Sequence, residues 1–419
     1  MKKIYMVGIG GIGMSALAQL LADQGDHVAG SDREASPTTE LLAAKGIQVT
    51  IGQKPENVPA NTELLIYTEA AWDDNPERIR AKELGILERS YFEALGDVSE
   101  GKRTIAVAGT HGKTTTTSML ARILRDAGVA PSAVVGSIVK DFGSNYLSGT
   151  SDWLVVEACE YKRDFLTLSP EILVVTNIEY DHTDYYKDLA DVQSAFRTLM
   201  EKAKVVVTDS THPNIASLLA GLPATIVDYA KEPYYETKLP GEFNLMNARA
   251  AAAAAKVAMP ELQEAVVHES IAAFEGTWRR FEFKGITKNG AEVYDDYAHH
   301  PTAVRKTLAE LRKRAKGRIY VAFHPHLYSR TKDLLIDFST AFSDADRVII
   351  APIYAAREVG DGSITSALLA ERIEKNGTDA KAGDFVEIRR YLETEPTKGD
   401  IIMTMGAGDI YKVADQLVA

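Results

Sequence analysis

Twice in this chain an apolar run passes through a glycine-rich turn into a helical pattern. The first turn is Gly8-Ile9-Gly10-Gly11-Ile12-Gly13 and the second is Gly109-Thr110-His111-Gly112-Lys113-Thr114-Thr115. Such a turn clears side chains from the backbone, so that main-chain N–H groups at a helix start can close around phosphate oxygens. After the first turn, Asp32 ends the next apolar run, about 20 residues on, which completes a dinucleotide-binding pattern. In the second, Lys113 brings a positive charge to the β- and γ-phosphates of a nucleotide, and the Thr114 hydroxyl offers Mg²⁺ a hard oxygen. The second spacing is tighter than in the commonest phosphate loop, because Val107 stands where that motif places its first glycine. A hydride-transfer enzyme would account for the first loop and leave Lys113 and Thr114 without a task.

Each loop opens an alternation of strands and helices. Ile4 to Val7, His27 to Gly30 and Leu64 to Tyr67 read as strands around a helix from Met14 to Asp23, a parallel α/β pattern. A polar stretch at Asp97 to Arg103 then precedes a strand at Thr104 to Ala108. Trp153 to Val156, Ile172 to Thr176 and Val205 to Thr208 follow, and after Glu275-Gly276 the pattern restarts with Phe281 to Gly285, Ala291 to Tyr294, Ile319 to Phe323, Val348 to Ile353 and Ile401 to Met405. The 419 residues therefore divide into three expected domains, 1–100, 101–275 and 276–419.

Composition removes several classes of function. A formal net charge of -12 is a poor match to a nucleic-acid backbone, which is held by many Lys and Arg contacts. The single cysteine, Cys159, forbids an internal disulfide and a thiolate-built zinc or iron–sulfur site, and suits a reducing cytoplasm. Met1-Lys2-Lys3 followed by an apolar run imitates a secretory signal, but its four glycines break the required helix. Arg249 and Lys256 likewise interrupt the alanine-rich run after Ala248, so no membrane span is expected.

Glu157 closes the run Trp153 to Val156, and His182 lies just beyond Ile172 to Thr176. Both are therefore expected at carboxyl ends of parallel strands, where open α/β sheets bind ligands.

The later motifs are more specific. Gly8 to Ser15, Asp74-Asn75-Pro76-Glu77, Gly109 to Thr117, Gly276-Thr277-Trp278-Arg279-Arg280-Phe281-Glu282, Asp295 to Thr302, Pro325 to Thr331 and Met405 to Ile410 follow one another along nearly the whole chain. In that order they resemble the Mur ligases of bacterial cell-wall synthesis. The resemblance implies an N-terminal Rossmann-like domain for a UDP-sugar, a central phosphate-loop ATPase with a mostly parallel sheet, and a C-terminal Rossmann-like domain for an amino acid. It implies UDP-N-acetylmuramate, ATP and L-alanine as substrates, with two Mg²⁺ ions, and neither nucleic acid nor membrane as partner.

On this resemblance Gly10, Gly11, Ile12, Gly13, Ser31 and Asp32 hold the UDP-sugar. Gly109, Thr110, His111, Gly112, Lys113, Thr114 and Thr115 hold ATP, with Asn244 and Asn247 at the adenine, Arg280 at the phosphates and Asp296 at the ribose. Thr114 and Glu157 would ligate the first metal ion and His182 the second. Tyr297, His299 and Arg330 would face the amino acid, Arg330 through its carboxylate and His299 through its amine, so that Lys113, His182, His299 and Arg330 carry the chemistry. Arg197 stands about where some relatives carry a carbamylated lysine, so that group is not expected. His300 reads as a cap on the helix after Pro301, and His324 and His326 as strand-end residues. Two other readings share some of these features: a ligase that adds a whole tripeptide to the same sugar, and a nucleotide-switched binding protein without ligase activity. The second leaves Tyr297, His299 and Arg330 unexplained.

Overall fold

A computed structural model of the protein describes residues 1–356 and 358–418. It contains three α/β sheets. The first consists of β1 (Lys3–Val7), β2 (His27–Asp32), β3 (Gln48–Ile51), β4 (Leu64–Tyr67) and β5 (Leu87–Ser90), all parallel in the order β3-β2-β1-β4-β5. The second consists of β6 (Arg103–Ala108), β7 (Ser132–Val139), β8 (Ser144–Leu147), β9 (Trp153–Glu157), β10 (Ile172–Val175), β11 (Val205–Thr208) and β12 (Thr225–Asp228). Its order is β12-β11-β10-β6-β9-β7-β8, and only the β7–β8 pair is antiparallel. The third consists of β13 (Glu282–Ile286), β14 (Glu292–Asp296), β15 (Ile319–Phe323), β16 (Arg347–Ile350), β17 (Asp379–Ala382) and β18 (Ile401–Met405), ordered β13-β14-β18-β15-β16-β17 with β13 alone antiparallel.

The central strands are continuous apolar runs because helices cover both faces of each parallel sheet. Ile105, Ala106, Val107 and Ala108 of β6, and Ile172 to Val175 of β10, are all buried. β1 lies between β2 and β4, and β6 between β10 and β9. Both glycine loops thus leave the strand at which the order reverses, the point where such sheets open a crevice.

The chain divides into two compact units. The first comprises Met1–Glu179, Ala190–Lys238 and Leu245–Thr277; the second comprises Tyr180–Leu189, Leu239–Asn244 and Trp278–Ala419. The last change of unit follows Thr277. At residue 100 there is no change of unit, and a buried polar network explains why. From the helix Ile12–Asp23, Gln19 Nε2 donates to Asn145 Oδ1 at 2.9 Å, while Asn145 Nδ2 donates to Ser15 Oγ at 2.8 Å and Ser144 Oγ donates to Gln19 Oε1 at 2.9 Å. This joins the first glycine loop's helix to β8 of the second sheet. The short excursions 180–189 and 239–244 join the second unit through side chains: Phe243, for example, packs on the core built by Phe281, Phe323 and Phe338.

Candidate functional site

In the first unit both glycine turns present uncapped helix starts. Gly11 and Gly112 occupy the N-cap positions of the helices Ile12–Asp23 and Lys113–Asp126, and neither helix has a side-chain cap. The leading N–H groups are therefore left without a side-chain partner and carry the positive end of the helix dipole.

Around the first turn, Gly8 and Ile9 donate their N–H groups to the Ser31 carbonyl at 2.8 and 2.9 Å. Gly10 donates to Asp32 Oδ2 at 2.9 Å, so the carboxylate lies on the loop itself. Ser31 turns its hydroxyl inward to the buried carboxylate of Glu77. Gly13 is closed off by Tyr91, whose phenol carbon and oxygen would lie 2.7 and 2.8 Å from a Cβ there.

The second turn is more tightly held. Gly112 has φ +82, and a Cβ on it would meet Asn247 Oδ1 at 2.2 Å. The His111 N–H donates to Asn177 Oδ1 at 2.9 Å, the Glu179 N–H donates to Thr110 Oγ1 at 2.8 Å, and Thr115 is buried beneath the loop. Lys113 Nζ donates to the Gly109 carbonyl at 2.5 Å and to Glu160 Oε2 at 2.8 Å. Burial alone would depress this ammonium; the Glu160 carboxylate, with Cys159 and Glu157 behind it, more than offsets burial and raises its pKa. Lys113 is charged, and a carboxylate stands where phosphate oxygens are expected. Glu157 accepts from Thr114 Oγ1 at 2.9 Å and from the Gly136 N–H at 2.6 Å. A Cβ on Gly136 would lie 2.5 Å from Glu157 Oε2, so glycine there is what lets the backbone hold the carboxylate. Thr114 and Glu157 form a hard-oxygen pair of the kind Mg²⁺ accepts.

In the second unit the expected amino-acid residues converge on a buried ion pair. Arg330 is 2% exposed; its Nε donates to Asp181 Oδ1 at 2.8 Å and its Nη1 lies 3.0 Å from His326 Nδ1. Burial would raise the Asp181 pKa, but Arg330 and then His182, His300 and His299 hold it well below the ordinary carboxylate range. His299 Nδ1 lies 2.9 Å from the Tyr297 carbonyl, and the His299 ring centroid is 5.3 Å from that of Tyr297 and 6.0 Å from that of His326. Burial first and the Arg330 charge second push the His299 pKa well below its ordinary value. Neutral imidazole beside a fixed guanidinium suits a zwitterionic amino acid: the cation draws a carboxylate and the imidazole accepts from an amine. His182 adopts φ +53 and donates its N–H to Asp181 Oδ1 at 2.7 Å. His300 caps the helix Pro301–Arg314, its Nδ1 accepting from the Thr302 N–H at 3.3 Å.

Asp296 and Arg280 lie beside this cluster. Asp296 accepts from the Phe281 N–H at 2.9 Å and the Ala298 N–H at 2.7 Å, and burial raises its pKa to about 6 against the opposing charge of Arg280. Arg280 lies 5.0 Å from the Tyr297 ring centroid. Asn244 donates to the Pro240 carbonyl at 2.6 Å within the second unit, whereas Asn247 belongs to the first.

No sequence motif assigned a role to Glu160, Asn177, Gly136, Asp181 or His326. Glu160 had one available signal, a second carboxylate three residues after Glu157.

His299 is therefore expected to show no titration step at the ordinary imidazole pKa of 6.5 in an NMR pH series, with His324, lowered chiefly by burial, titrating at about 4. Below pH 6.5 the unfolded chain protonates these rings and the folded chain does not, so stability falls as pH drops through that window. A His299 step at 6.5 would contradict the burial seen here.

A lysine-bearing phosphate loop on one parallel sheet, a glycine loop on a second and a basic, histidine-rich cluster on a third define a three-domain α/β nucleotide-dependent enzyme. Residues 3–103 match the Mur ligase family catalytic domain, 107–236 the Mur ligase middle domain and 279–408 the Mur ligase glutamate ligase domain. The chain belongs to the Mur ligase family. It is 39% identical to the UDP-N-acetylmuramate–L-alanine ligase of Clostridium botulinum strain Okra, over 100% of this chain and 97% of that one. The corresponding enzyme of Clostridium acetobutylicum is 36% identical, over 100% and 98%. Among solved structures, the UDP-N-acetylmuramate-alanine ligase of Thermotoga maritima superposes with a TM-score of 0.83 at 27% identity, covering 100% of this chain and 98% of that one. A murein peptide ligase of Psychrobacter arcticus shares the fold, with a TM-score of 0.74 at 22% identity over 100% of both chains.

Proposed function

We propose that this ligase joins L-alanine to the carboxylate of UDP-N-acetylmuramate at the expense of ATP, in peptidoglycan precursor synthesis. The observation that carries this reading is the end-to-end similarity to relatives bearing that name, at 36% and 39% identity. The site residues fit the reaction. In the first step a carboxylate oxygen of the sugar attacks the γ-phosphorus, forming an acyl phosphate as the bond to ADP breaks. In the second, the alanine amine attacks the acyl carbon, phosphate leaves, and the amine gives up a proton.

Two anions must meet in the first step, so charge neutralisation dominates. Lys113 passes from Glu160 to the β- and γ-phosphates, with the N–H groups from Gly109 to Thr115 around them. Thr114 and Glu157 would hold one Mg²⁺ ion and His182 a second, supplying further positive charge to the phosphates. Asn244 and Asn247 take the adenine, Arg280 the phosphates and Asp296 the ribose. The glycine loop of Gly10, Gly11, Ile12 and Gly13, with Ser31 and Asp32, holds the uridine diphosphate. In the second step Arg330 fixes the alanine carboxylate, and His299 and Tyr297 orient the amine. Domains are proposed at 1–100, 101–275 and 276–419. A cytoplasmic location accords with the use of ATP, and among the described residues no helix is long and apolar enough to cross a membrane.

The deciding experiment measures phosphate release from ATP with Mg²⁺ and UDP-N-acetylmuramate, comparing L-alanine, glycine, L-serine and L-Ala-D-Glu-meso-diaminopimelate as acceptors. Turnover with L-alanine is expected. Turnover with the tripeptide alone would replace this reading by the recycling reaction, and turnover with none would end the ligase assignment.

A further inference from the structure

Tyr91 belongs to neither set of expected ligand residues, yet it packs on the first glycine turn. It is the first residue of the helix Tyr91–Ser99, directly after Ser90, which caps that helix by accepting from the Glu93 N–H at 3.2 Å. This capping box fixes the direction in which the ring leaves the backbone. The hydroxyl end of the ring packs on the first glycine turn, where the missing Cβ of Gly13 makes room for it: the phenol oxygen is 2.8 Å from that Cβ position. The charges of Glu157 and Cys159 raise the phenol pKa beyond what burial alone does. Phe92, edge-on at a centroid distance of 4.8 Å, buttresses the ring. Among the described residues the Tyr91 hydroxyl donates to no protein group. The phenol is half-buried, and its O–H is left open to a ligand.

We infer that the Tyr91 hydroxyl donates a hydrogen bond to the carboxylate borne by the sugar substrate, placing it for attack on the γ-phosphate. The inference rests on the proposed function. If the uridine diphosphate lies on the turn Gly10 to Gly13 and the phosphates lie over Lys113, the sugar and its carboxylate must cross from Gly13 toward Glu157. Tyr91 lines that crossing. Glu157 and Glu160 put negative charge beside Thr114 and Lys113, so a carboxylate arriving there needs donors to oppose their repulsion. An uncharged phenol supplies one without competing for the cation. Gly13 is then glycine for two reasons: its N–H belongs to the helix start, and a side chain would displace the ring from its place.

The test is Tyr91→Phe, which keeps the ring against Gly13 and removes only the hydroxyl. Affinities of wild type and variant are measured calorimetrically for UDP-N-acetylmuramate and for UDP-N-acetylglucosamine, which lacks the lactyl carboxylate, together with steady-state kinetics. Loss of a hydrogen bond to a charged group predicts about a 10- to 100-fold fall in kcat/KM for UDP-N-acetylmuramate and a matching loss of its affinity. The KM for ATP, the melting temperature and the affinity for UDP-N-acetylglucosamine are expected to stay at wild-type values. Unchanged binding of both sugars overturns the inference. Equal weakening of both also overturns it, because the hydroxyl would then serve the part common to the two ligands. Wild-type protein that binds neither sugar would instead remove the functional reading on which the inference stands.

Discussion

Replacing Lys113 by methionine is expected to cut ATP-dependent phosphate release about a thousandfold, the loss seen when one fixed positive or donor group is taken from a developing anionic transition state. The same change is expected to cost stability, which has to be separated from the loss of activity. Lys113 and Glu160 form a pair whose side chains are 14% and 3% exposed, so the methionine leaves a carboxylate buried without its cation. Breaking such a pair from one side typically costs about 3–5 kcal/mol, whereas removing both charges is often nearly neutral. The double variant Lys113→Met with Glu160→Gln should therefore recover most of the lost urea midpoint while remaining inactive. Recovery of turnover along with stability would show that Lys113 acts only as a counter-ion to Glu160. In Glu160→Gln alone the ammonium loses its stand-in for phosphate, and tighter binding of ATP is the expected direction, read by calorimetry.

That pair also illustrates what the sequence could and could not disclose. Lys113 was legible because a phosphate loop is local: strand, glycines, lysine and helix start occupy consecutive residues, and each has its own physical reason. Glu160 was not, because it meets Lys113 from 47 residues away, at the start of a turn in which Lys162 and Arg163 both adopt left-handed backbone angles, at φ 52 and 62. No residue preference announces left-handed lysine and arginine. The same division runs through the fold. Central strands such as β4, β11, β15 and β18 were legible to the residue, being unbroken apolar runs. Some edge strands were passed over, although the edge strand β13 was read to within a residue: β17 reads Asp-Ala-Lys-Ala, and β3 exposes both of its end residues. An edge strand buries little, so hydrophobic patterning scarcely marks it, and its pairing is decided by a neighbour far away in the chain. The glycine at 136 shows the limit in the site. Its reason for being glycine is the carboxylate of Glu157, 21 residues away, and only the folded sheet brings them together.

The second large effect is expected at Arg330, where two tasks again share one side chain. Its Nε is held by Asp181 and its Nη1 lies against His326, so in the absence of an amino acid the guanidinium is already fixed in direction. Preorganisation of this kind lowers the ordering cost of binding a carboxylate. The pair it forms is almost completely buried, with side chains 2% and 6% exposed, and Arg330→Met should destabilise the second unit by about 3–5 kcal/mol through the abandoned Asp181. Adding Asp181→Asn should restore much of that loss without restoring use of L-alanine. The informative variant is Arg330→Lys. It keeps a positive charge near Asp181 and spares the fold the worst of the cost, but an ammonium cannot hold Asp181 and His326 and still offer a planar fork to a carboxylate. Its KM for L-alanine is expected to rise about 10- to 100-fold, the value of a hydrogen bond to a charged group, while the affinity for ATP, measured calorimetrically, stays as in the wild type. A wild-type KM for L-alanine in Arg330→Lys would mean that the guanidinium serves only the ion pair with Asp181. The alanine carboxylate would then have to be held by another cation of the second unit, for which Arg280, beside Tyr297, would be the next residue to replace.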